Sequence, residues 1–243
     1  MLIGTFGGAV SGRIDGTRPG LGLRHPQHDR PLRQHRSRKI TTLRLPEFGA
    51  PGADLQQEYA DALARGITDA APQTCGWIVD LRDNTGGNMY PMLSGIAPLL
   101  PNGPAMSFRP RTGSAVDVMV HDNGAGMGGE AEIKIDATTK ITDQPVAVLF
   151  NDMTASSREA VATAFRGLPN AASFGTPTAG YTSANSVHRL PDGAVLVLTG
   201  AVYVDRAGVD LAEQPMPPDH PTTAEEAPTA ALAWLRERGC AAA

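Results

Sequence analysis

The sequence predicts an α/β fold with a β-rich insertion, preceded by a basic arm that we expect to be disordered. Short apolar runs at 76–79 and 145–150 have the length and β-branched content of buried strands. Each run leads through a polar turn into a stretch where apolar residues return at helical spacing. Strands that alternate with helices in this way are typical of α/β cores.

The chain has room for one full hydrophobic core, because it has 243 residues of which 41% are hydrophobic. We therefore expect an arm at 1–38 and a core domain at 39–243. Residues 102–144 are rich in glycine and turn residues and contain hairpin-like pieces. This segment is predicted to be a β-rich flap inserted into the core.

The arm differs from the rest of the chain in its charge. Residues 1–46 hold nine of the 21 lysines and arginines but only two of the 25 acidic residues, so they carry +7 against −11 for the remainder. Prolines and glycines are spread through this segment, and it has too little apolar periodicity to pack. Because no aromatic residues interleave its basic ones, a solvated tail is favoured and no nucleic-acid partner is expected.

The sequence lacks the signals that are typical of several other classes of protein. No run of about 18 apolar residues exists, so no transmembrane segment is expected. The first ten residues are too weak for a signal peptide, and the compartment stays open. Cys75 and Cys240 form no C-x-x-C pair, so neither a zinc site nor a disulfide framework is predicted. Cys75, beside a buried strand, is expected to be a small core residue, and no metal or cofactor is indicated.

The remaining elements follow from periodicity and turn residues. Helices are predicted at 54–70, 89–100 and 223–238, with Leu55 on the inward stripe of the first. Strands are predicted at 40–45, 171–175, 187–190, 194–199 and 202–204, and Asp192 lies in the turn between the third and fourth of these.

Ser156 is the leading candidate for a functional residue. It lies in the stretch Asn151-Asp152-Met153-Thr154-Ala155-Ser156-Ser157-Arg158-Glu159, between a predicted strand and a predicted helix. Unpaired N–H groups at a helix start can stabilise an oxyanion, which favours a nucleophile at this position. Ser156 and Glu159 also have the spacing of a capping box, which does no chemistry, so the stretch by itself leaves both readings open.

A second turn has the same plan but carries two glycines. It follows the strand at 76–79 and reads Asp80-Leu81-Arg82-Asp83-Asn84-Thr85-Gly86-Gly87-Asn88. Adjacent glycines let the backbone approach a ligand closely and direct N–H groups toward it, as an oxyanion site requires.

Together the two turns resemble the tail-specific, or C-terminal processing, serine peptidase family. That family pairs a DLRxNxGG turn with a later TASSxE turn and then a GxxTxG motif, which this chain matches at 80–87, 154–159 and 175–180. The nearest branch is that of the nisin resistance protein and the interphotoreceptor retinoid-binding modules. The resemblance covers about 200 residues from Lys39 and implies the Clp-protease and crotonase-like superfold.

The resemblance also implies roles for individual residues. Ser156 would be the nucleophile, and the N–H of Ser157 with one from Gly86 or Gly87 would receive the oxyanion. Glu159 would orient the site or simply cap the helix. Arg82 is expected to be a structural counter-ion, and Arg158 is expected at the surface.

The general base is where the sequence departs from the family pattern. Many members place a lysine directly after the T-x-G motif, but here that position is Tyr181, and no lysine follows Lys140. The nearest branch takes a histidine from an upstream Asp-x-His-Ser context, which is absent here. The candidates are His25, His28 and His35 in the arm and His188 in a predicted strand, and each is weak. They are more simply solvated or strand residues.

Three functional classes therefore stay open. The first is a serine peptidase acting on a peptide or on the C-terminal region of a protein. The second is a catalytically silent binding module of the same fold. The third is a truncated family member whose core still folds. Family members are often extracytoplasmic, and the sequence does not indicate an oligomeric state.

Overall fold

A computed structural model of the chain describes residues 39–48, 52–83, 85–137, 139–211 and 214–240. Residues 1–38, which include the expected basic arm, lie outside the described residues. The strands of the described part form two sheets, one parallel and one antiparallel. The α/β prediction is confirmed.

The parallel sheet has five strands in the order β1-β2-β7-β8-β11, and every neighbouring pair is parallel. Its strands are β1 (Lys39–Arg44), β2 (Thr74–Asp80), β7 (Val146–Phe150), β8 (Ala171–Gly175) and β11 (His220–Pro221). Four helices lie between or after these strands in the chain. These are α1 (Ala53–Ala70) and α2 (Met89–Ile96) before β7, α3 (Ser157–Phe165) after it, and α4 (Ala227–Glu237) after β11.

Side chains alternate between two hydrophobic clusters on either face of this sheet. On β2, Trp77 and Val79 belong to the cluster shared with α1, α2 and α3, whereas Ile78 belongs to the cluster under α4. β7 repeats the pattern, with Val148 in the first cluster and Leu149 in the second. Successive residues of a strand point to opposite faces, so both faces of the central strands are buried and their sequences are continuously apolar.

The antiparallel sheet has six strands in the order β6-β5-β4-β3-β10-β9. These are β3 (Gly103–Pro110), β4 (Val116–His121), β5 (Gly124–Met127), β6 (Ile133–Lys134), β9 (Ser183–Arg189) and β10 (Val195–Asp205). The segment 102–144 is β-rich as expected, but β3 was not predicted, and β9 and β10 from outside the segment complete its sheet. That this segment forms a flap remains a prediction.

Several boundaries differ from the sequence-based ones for local reasons. α2 ends at Ile96, where a short 3₁₀ turn containing Pro98 takes over. α4 begins at Ala227 with Pro228 in its first turn, where a missing N–H is tolerated, instead of at Thr223. Leu55 is half exposed, whereas Ala60, Ala64 and Ile67 are the buried residues of α1. None of the helices that the structure describes is long and apolar enough to cross a membrane.

Candidate active site

The two motif turns lie side by side because β2 and β7 are adjacent parallel strands that end at the same edge of the sheet. Side chains of the serine turn bind the glycine turn directly. Thr154 Oγ1 donates to the carbonyl of Leu81 at 3.0 Å, and Asn151 Nδ2 donates to Asp83 Oδ1 at 2.8 Å. These bonds fix one turn against the other.

The glycine turn is also bonded to the segment that precedes α4. Arg82 contacts Asp80 through two nitrogens, Nε to Oδ1 at 2.9 Å and Nη2 to Oδ2 at 2.8 Å. Its remaining nitrogen, Nη1, donates to the carbonyl of Ala224, just ahead of α4, at 2.8 Å. All three guanidinium nitrogens therefore bind the protein itself, as expected of a structural counter-ion.

Ser156 has a strained backbone at the point where the chain turns from β7 into α3. Its φ of 53° and ψ of −119° lie in a region that residues other than glycine rarely adopt. Strain of this kind costs about 1–3 kcal/mol and is concentrated at functional sites. Ser156 is the N-cap residue of α3, and its N–H donates to Glu159 Oε2 at 2.8 Å.

Gly86 lies directly against the serine turn. A Cβ at this position would lie 3.1 Å from both the Ala155 carbonyl oxygen and Ser156 Cβ, and 3.3 Å from the backbone nitrogen of Ser157. Gly86 also has a φ of 119°. Glycine suits this close approach and this φ, and the Gly86 backbone therefore lies near both Ser156 and the Ser157 backbone nitrogen.

Ser157 joins the same two turns. Its hydroxyl donates to the carbonyl of Gly87, whose φ is 125°. Its N–H belongs to the first turn of α3, where backbone donors have no partner within the helix. The structure thus brings Ser156, Ser157 and the Gly86-Gly87 turn together.

Glu159 is fully buried behind Ser156. One carboxylate oxygen accepts the Ser156 N–H, and the other accepts the Thr178 hydroxyl and the Gly180 N–H, the latter at 2.9 Å. Burial raises the pKa of Glu159, although these donors act in the opposite direction. Because both oxygens are engaged by the protein, Glu159 connects the serine turn to the T-x-G loop and does not face the pocket.

Tyr203 is a site residue that sequence reasoning missed. It lies on β10, is almost completely buried, and its hydroxyl lies close enough to the Ser156 side chain for that group to influence its pKa. Burial and the nearby Glu159 and Tyr90 raise the pKa of Tyr203 well above its ordinary value. The phenol is therefore neutral at physiological pH. A lone tyrosine in a predicted strand carries no signal that could have identified it.

An open pocket of about 630 Å³ lies beside Ser156. Its lining includes Tyr181, which stands where many relatives have a lysine, and Ser183 and Asn185 of β9. No lysine or histidine is among the described residues that line this pocket.

Of the histidines considered as bases, the structure describes His188, which is not among the residues that line the pocket beside Ser156. His188 is an exposed residue of β9, paired with Leu196 of β10. His25, His28 and His35 lie outside the described residues. No group of histidine, cysteine and acidic residues that could hold a metal ion occurs in the described ranges.

Arg158 was expected at the surface, and that expectation is wrong. It is fully buried, and its Nη2 donates to the carbonyl of Leu45 at the end of β1. Among the residues that the structure describes, its Nε and Nη1 have no hydrogen-bond partner. Burial lowers the pKa of Arg158 to about 10. The reason for the error is that the second position of α3 faces β1 and α1 and not the solvent.

Comparisons with known proteins place the chain in a family. The sequence pattern of peptidase family S41 matches residues 39–222. The nisin-resistance protein of Lactococcus lactis subsp. lactis is 36% identical over 197 residues, which is 81% of this chain and 60% of that protein. The chloroplastic carboxyl-terminal-processing peptidase 2 of Arabidopsis thaliana is 28% identical over 185 residues, which is 76% of this chain and 32% of that protein.

A lipoprotein structure from Streptococcus agalactiae has a similar fold. It superposes with a TM-score of 0.71 at 31% identity, covering 89% of this chain and 71% of that one. The chain spans 60% of the length of the Lactococcus lactis relative and 32% of the length of the Arabidopsis thaliana relative.

Proposed function

Because this chain belongs to peptidase family S41, we propose that it is a serine-type peptidase core with Ser156 as its nucleophile. The observation that carries the proposal is the strained backbone of Ser156, held at a helix start against Gly86 and beside an open pocket. The substrate would be a peptide or the C-terminal region of a protein.

The proposed reaction is acyl transfer. Ser156 Oγ adds to the scissile carbonyl carbon and passes its proton to a base, and the carbonyl oxygen becomes an oxyanion. The Ser157 N–H, together with one from the Gly86-Gly87 turn, would donate to that oxygen, because Gly86 packs closely against both Ser156 and the Ser157 backbone nitrogen. The amine then leaves with a proton, and water hydrolyses the acyl-enzyme.

Glu159 acts in this scheme as a positioning residue. It holds the Ser156 N–H and the Thr178–Gly180 loop in one hydrogen-bonded cluster, and neither of its oxygens is directed at substrate. Its buried carboxylate would keep the strained Ser156 conformation in place through the reaction.

Weak proteolysis is part of the proposal. A serine hydroxyl is a poor nucleophile at neutral pH unless a base takes its proton, and a positioned base contributes about 10²–10⁴-fold. The described residues around the pocket include Tyr181 and, next to Ser156, the neutral phenol of Tyr203, but no lysine or histidine. We therefore expect proteolysis barely above background.

A second candidate is a catalytically silent binding module of the same fold. It is favoured by the same absence of a lysine or histidine among the described pocket residues. On this alternative the pocket beside Ser156 would bind a peptide without cleaving it, and the serine would act only as the helix cap.

Labelling with a fluorophosphonate probe tests the proposal, since the probe reacts covalently with activated serines. We expect one adduct per chain, mapped by peptide mass spectrometry to Ser156 and absent from Ser156→Ala. Ser186→Ala, which changes an exposed serine of β9, should label like the wild type. The absence of labelling after prolonged incubation would favour the silent module, and an adduct on Ser157 would overturn the assignment.

A further inference from the structure

The chain's two cysteines meet at the face of the parallel sheet that α4 covers. Cys75 is the second residue of β2, and Cys240 follows the end of α4. Cys240 belongs to the hydrophobic cluster formed by α4 with β2, β7 and β8, and Cys75 packs against that cluster. Both are thiols in the structure.

A bulge in β2 explains how Cys75 reaches this face. Thr74 and Gly76 pair with the consecutive residues Lys39 and Ile40 of β1, so Cys75 is an extra residue in the ladder. Without a bulge, Cys75 would share the face of Trp77, which belongs to the opposite cluster. Bulges redirect side chains in this way.

Gly76 makes the space that the second sulfur occupies. A Cβ at this position would lie 2.9 Å from Cys240 Sγ, closer than real Cβ atoms approach other atoms. The Cys240 sulfur therefore rests against the bare backbone of the residue next to Cys75. Burial, followed by the neighbouring Cys75 side chain, raises the pKa of the Cys240 thiol to about 12.

The two thiols differ in access to solvent. Cys75 is half buried, whereas Cys240 is almost completely buried. A thiolate on the accessible residue can attack an oxidant, and the buried residue is then the neighbour that resolves the mixed disulfide. The pair therefore has one attacking thiol and one resolving thiol in contact.

We propose that Cys75 and Cys240 form an intramolecular disulfide when the protein meets a disulfide oxidant, fastening α4 to β2. With oxidised glutathione, the Cys75 thiolate attacks one sulfur and releases one glutathione thiolate. Cys240 then gives up its proton and attacks the Cys75 sulfur, releasing the second. Two protein thiols are oxidised, and one glutathione disulfide is reduced to two thiols.

The disulfide would restrain the C-terminal helix, α4. α4 packs on β7 and β8 through Trp234 and Leu235, and its start lies beside the Arg82 contact at Ala224. A bond between residues so far apart in sequence restricts the unfolded chain strongly. It should therefore raise the melting temperature without altering the pocket beside Ser156, which lies at the other end of β2.

The test uses the full chain incubated with oxidised glutathione at about pH 8, then quenched with iodoacetamide and analysed by mass spectrometry. We expect an intact mass lower by two hydrogen atoms, and a linked pair of peptides that contain Cys75 and Cys240. The oxidised protein should melt roughly 5–10 °C above the reduced one, a difference that reductant removes.

Single-cysteine variants provide the matched controls. In Cys240→Ser, Cys75 should form a stable mixed disulfide with glutathione, because the thiol that would resolve it is absent. In Cys75→Ser, at the half-buried position, Cys240 should stay reduced and the melting temperature should not respond to oxidant. Glutathione retained on Cys75 of the wild-type chain, or cross-linked dimers in place of the internal bond, would overturn the proposal, and neither depends on whether Ser156 is active.

Discussion

Several surrounding residues hold Ser156 in its strained conformation. Glu159 accepts its N–H, Gly86 packs against its Cβ, and Tyr203 contacts its side chain. Ser156, Glu159 and the glycines could be proposed as site residues from the sequence because they occur in ordered motifs with fixed spacing. Tyr203 and the burial of Arg158 could not, since both depend on contacts between distant segments.

Tyr203→Phe tests the contact between Tyr203 and Ser156. Removing the hydroxyl takes away a polar group beside the Ser156 side chain, so we expect fluorophosphonate labelling to slow about three- to tenfold. The free energy of unfolding should change by no more than about 1.5 kcal/mol, since the ring still fills its place in the core. Labelling rates and urea melts measure the two effects.

Tyr59→Phe is the matched control for that experiment. It also removes one phenol hydroxyl, which donates to the carbonyl of Pro46 at 3.1 Å, but it leaves the Ser156 contact intact. Its labelling rate should equal that of the wild type. Equal rates for wild type and Tyr203→Phe would show that the Tyr203 hydroxyl has no part in orienting Ser156.

At the scale of elements, the two strand-turn-helix units carry the site. Their strands were predictable because strands buried on both faces read as continuous apolar runs. That β2 and β7 are neighbours is a finding of the structure. The start of α4, the end of α2 and the strand β3 were missed, because short proline-bounded or glycine-rich segments carry weak periodicity.

Gly86→Ala tests the close approach of the two turns. The new methyl group would lie 3.1 Å from the Ala155 carbonyl oxygen, at a φ of 119° that alanine rarely adopts. The glycine turn must then move away from Ser156, so we expect labelling to be lost. Mass spectrometry of the probe-treated variant gives the readout.

Gly66→Ala is the control for that change. Gly66 lies in α1 with open space around its Cβ position, so alanine should stabilise the helix by about 0.5–1 kcal/mol and leave labelling unchanged. Full labelling of Gly86→Ala would contradict a role for this turn in the site.

At the scale of the whole molecule, the fold joins a parallel core to an antiparallel sheet that shares strands from two distant parts of the chain. β3 to β6 come before the serine turn, and β9 and β10 come after it. The sequence predicted strands in both segments but not that they pair in one sheet, since pairing between distant strands leaves no local pattern. The β9 end of this sheet also forms part of the pocket, through Ser183 and Asn185.

Acid should weaken the fold partly through Asp80. Burial raises the pKa of Asp80, but its hydrogen bonds and ion pair with Arg82 outweigh burial and hold it below the ordinary value of 3.8. The stabilisation is therefore fully present above that value and is lost as the pH falls through the lowered pKa. Urea melts between about pH 7 and 3 should show Asp80→Asn less stable than wild type at neutral pH.

The difference between those two proteins should shrink at the acid end of the range. Glu159, whose pKa is raised, acts in the opposite direction in both proteins and cancels from the comparison. Asp136→Asn, at an exposed position, should follow the wild type throughout. A difference that stays constant down to pH 3 would mean that the Asp80 charge does not stabilise the fold.

The most direct measurement of the proposed chemistry is a crystal structure of the chain after reaction with the fluorophosphonate. We expect phosphorus bonded to Ser156 Oγ, and its phosphoryl oxygen within about 3 Å of the backbone nitrogen of Ser157 and of one nitrogen in the Gly86-Gly87 turn. A phosphoryl oxygen directed into solvent, with neither nitrogen in reach, would contradict an oxyanion site formed by these two turns.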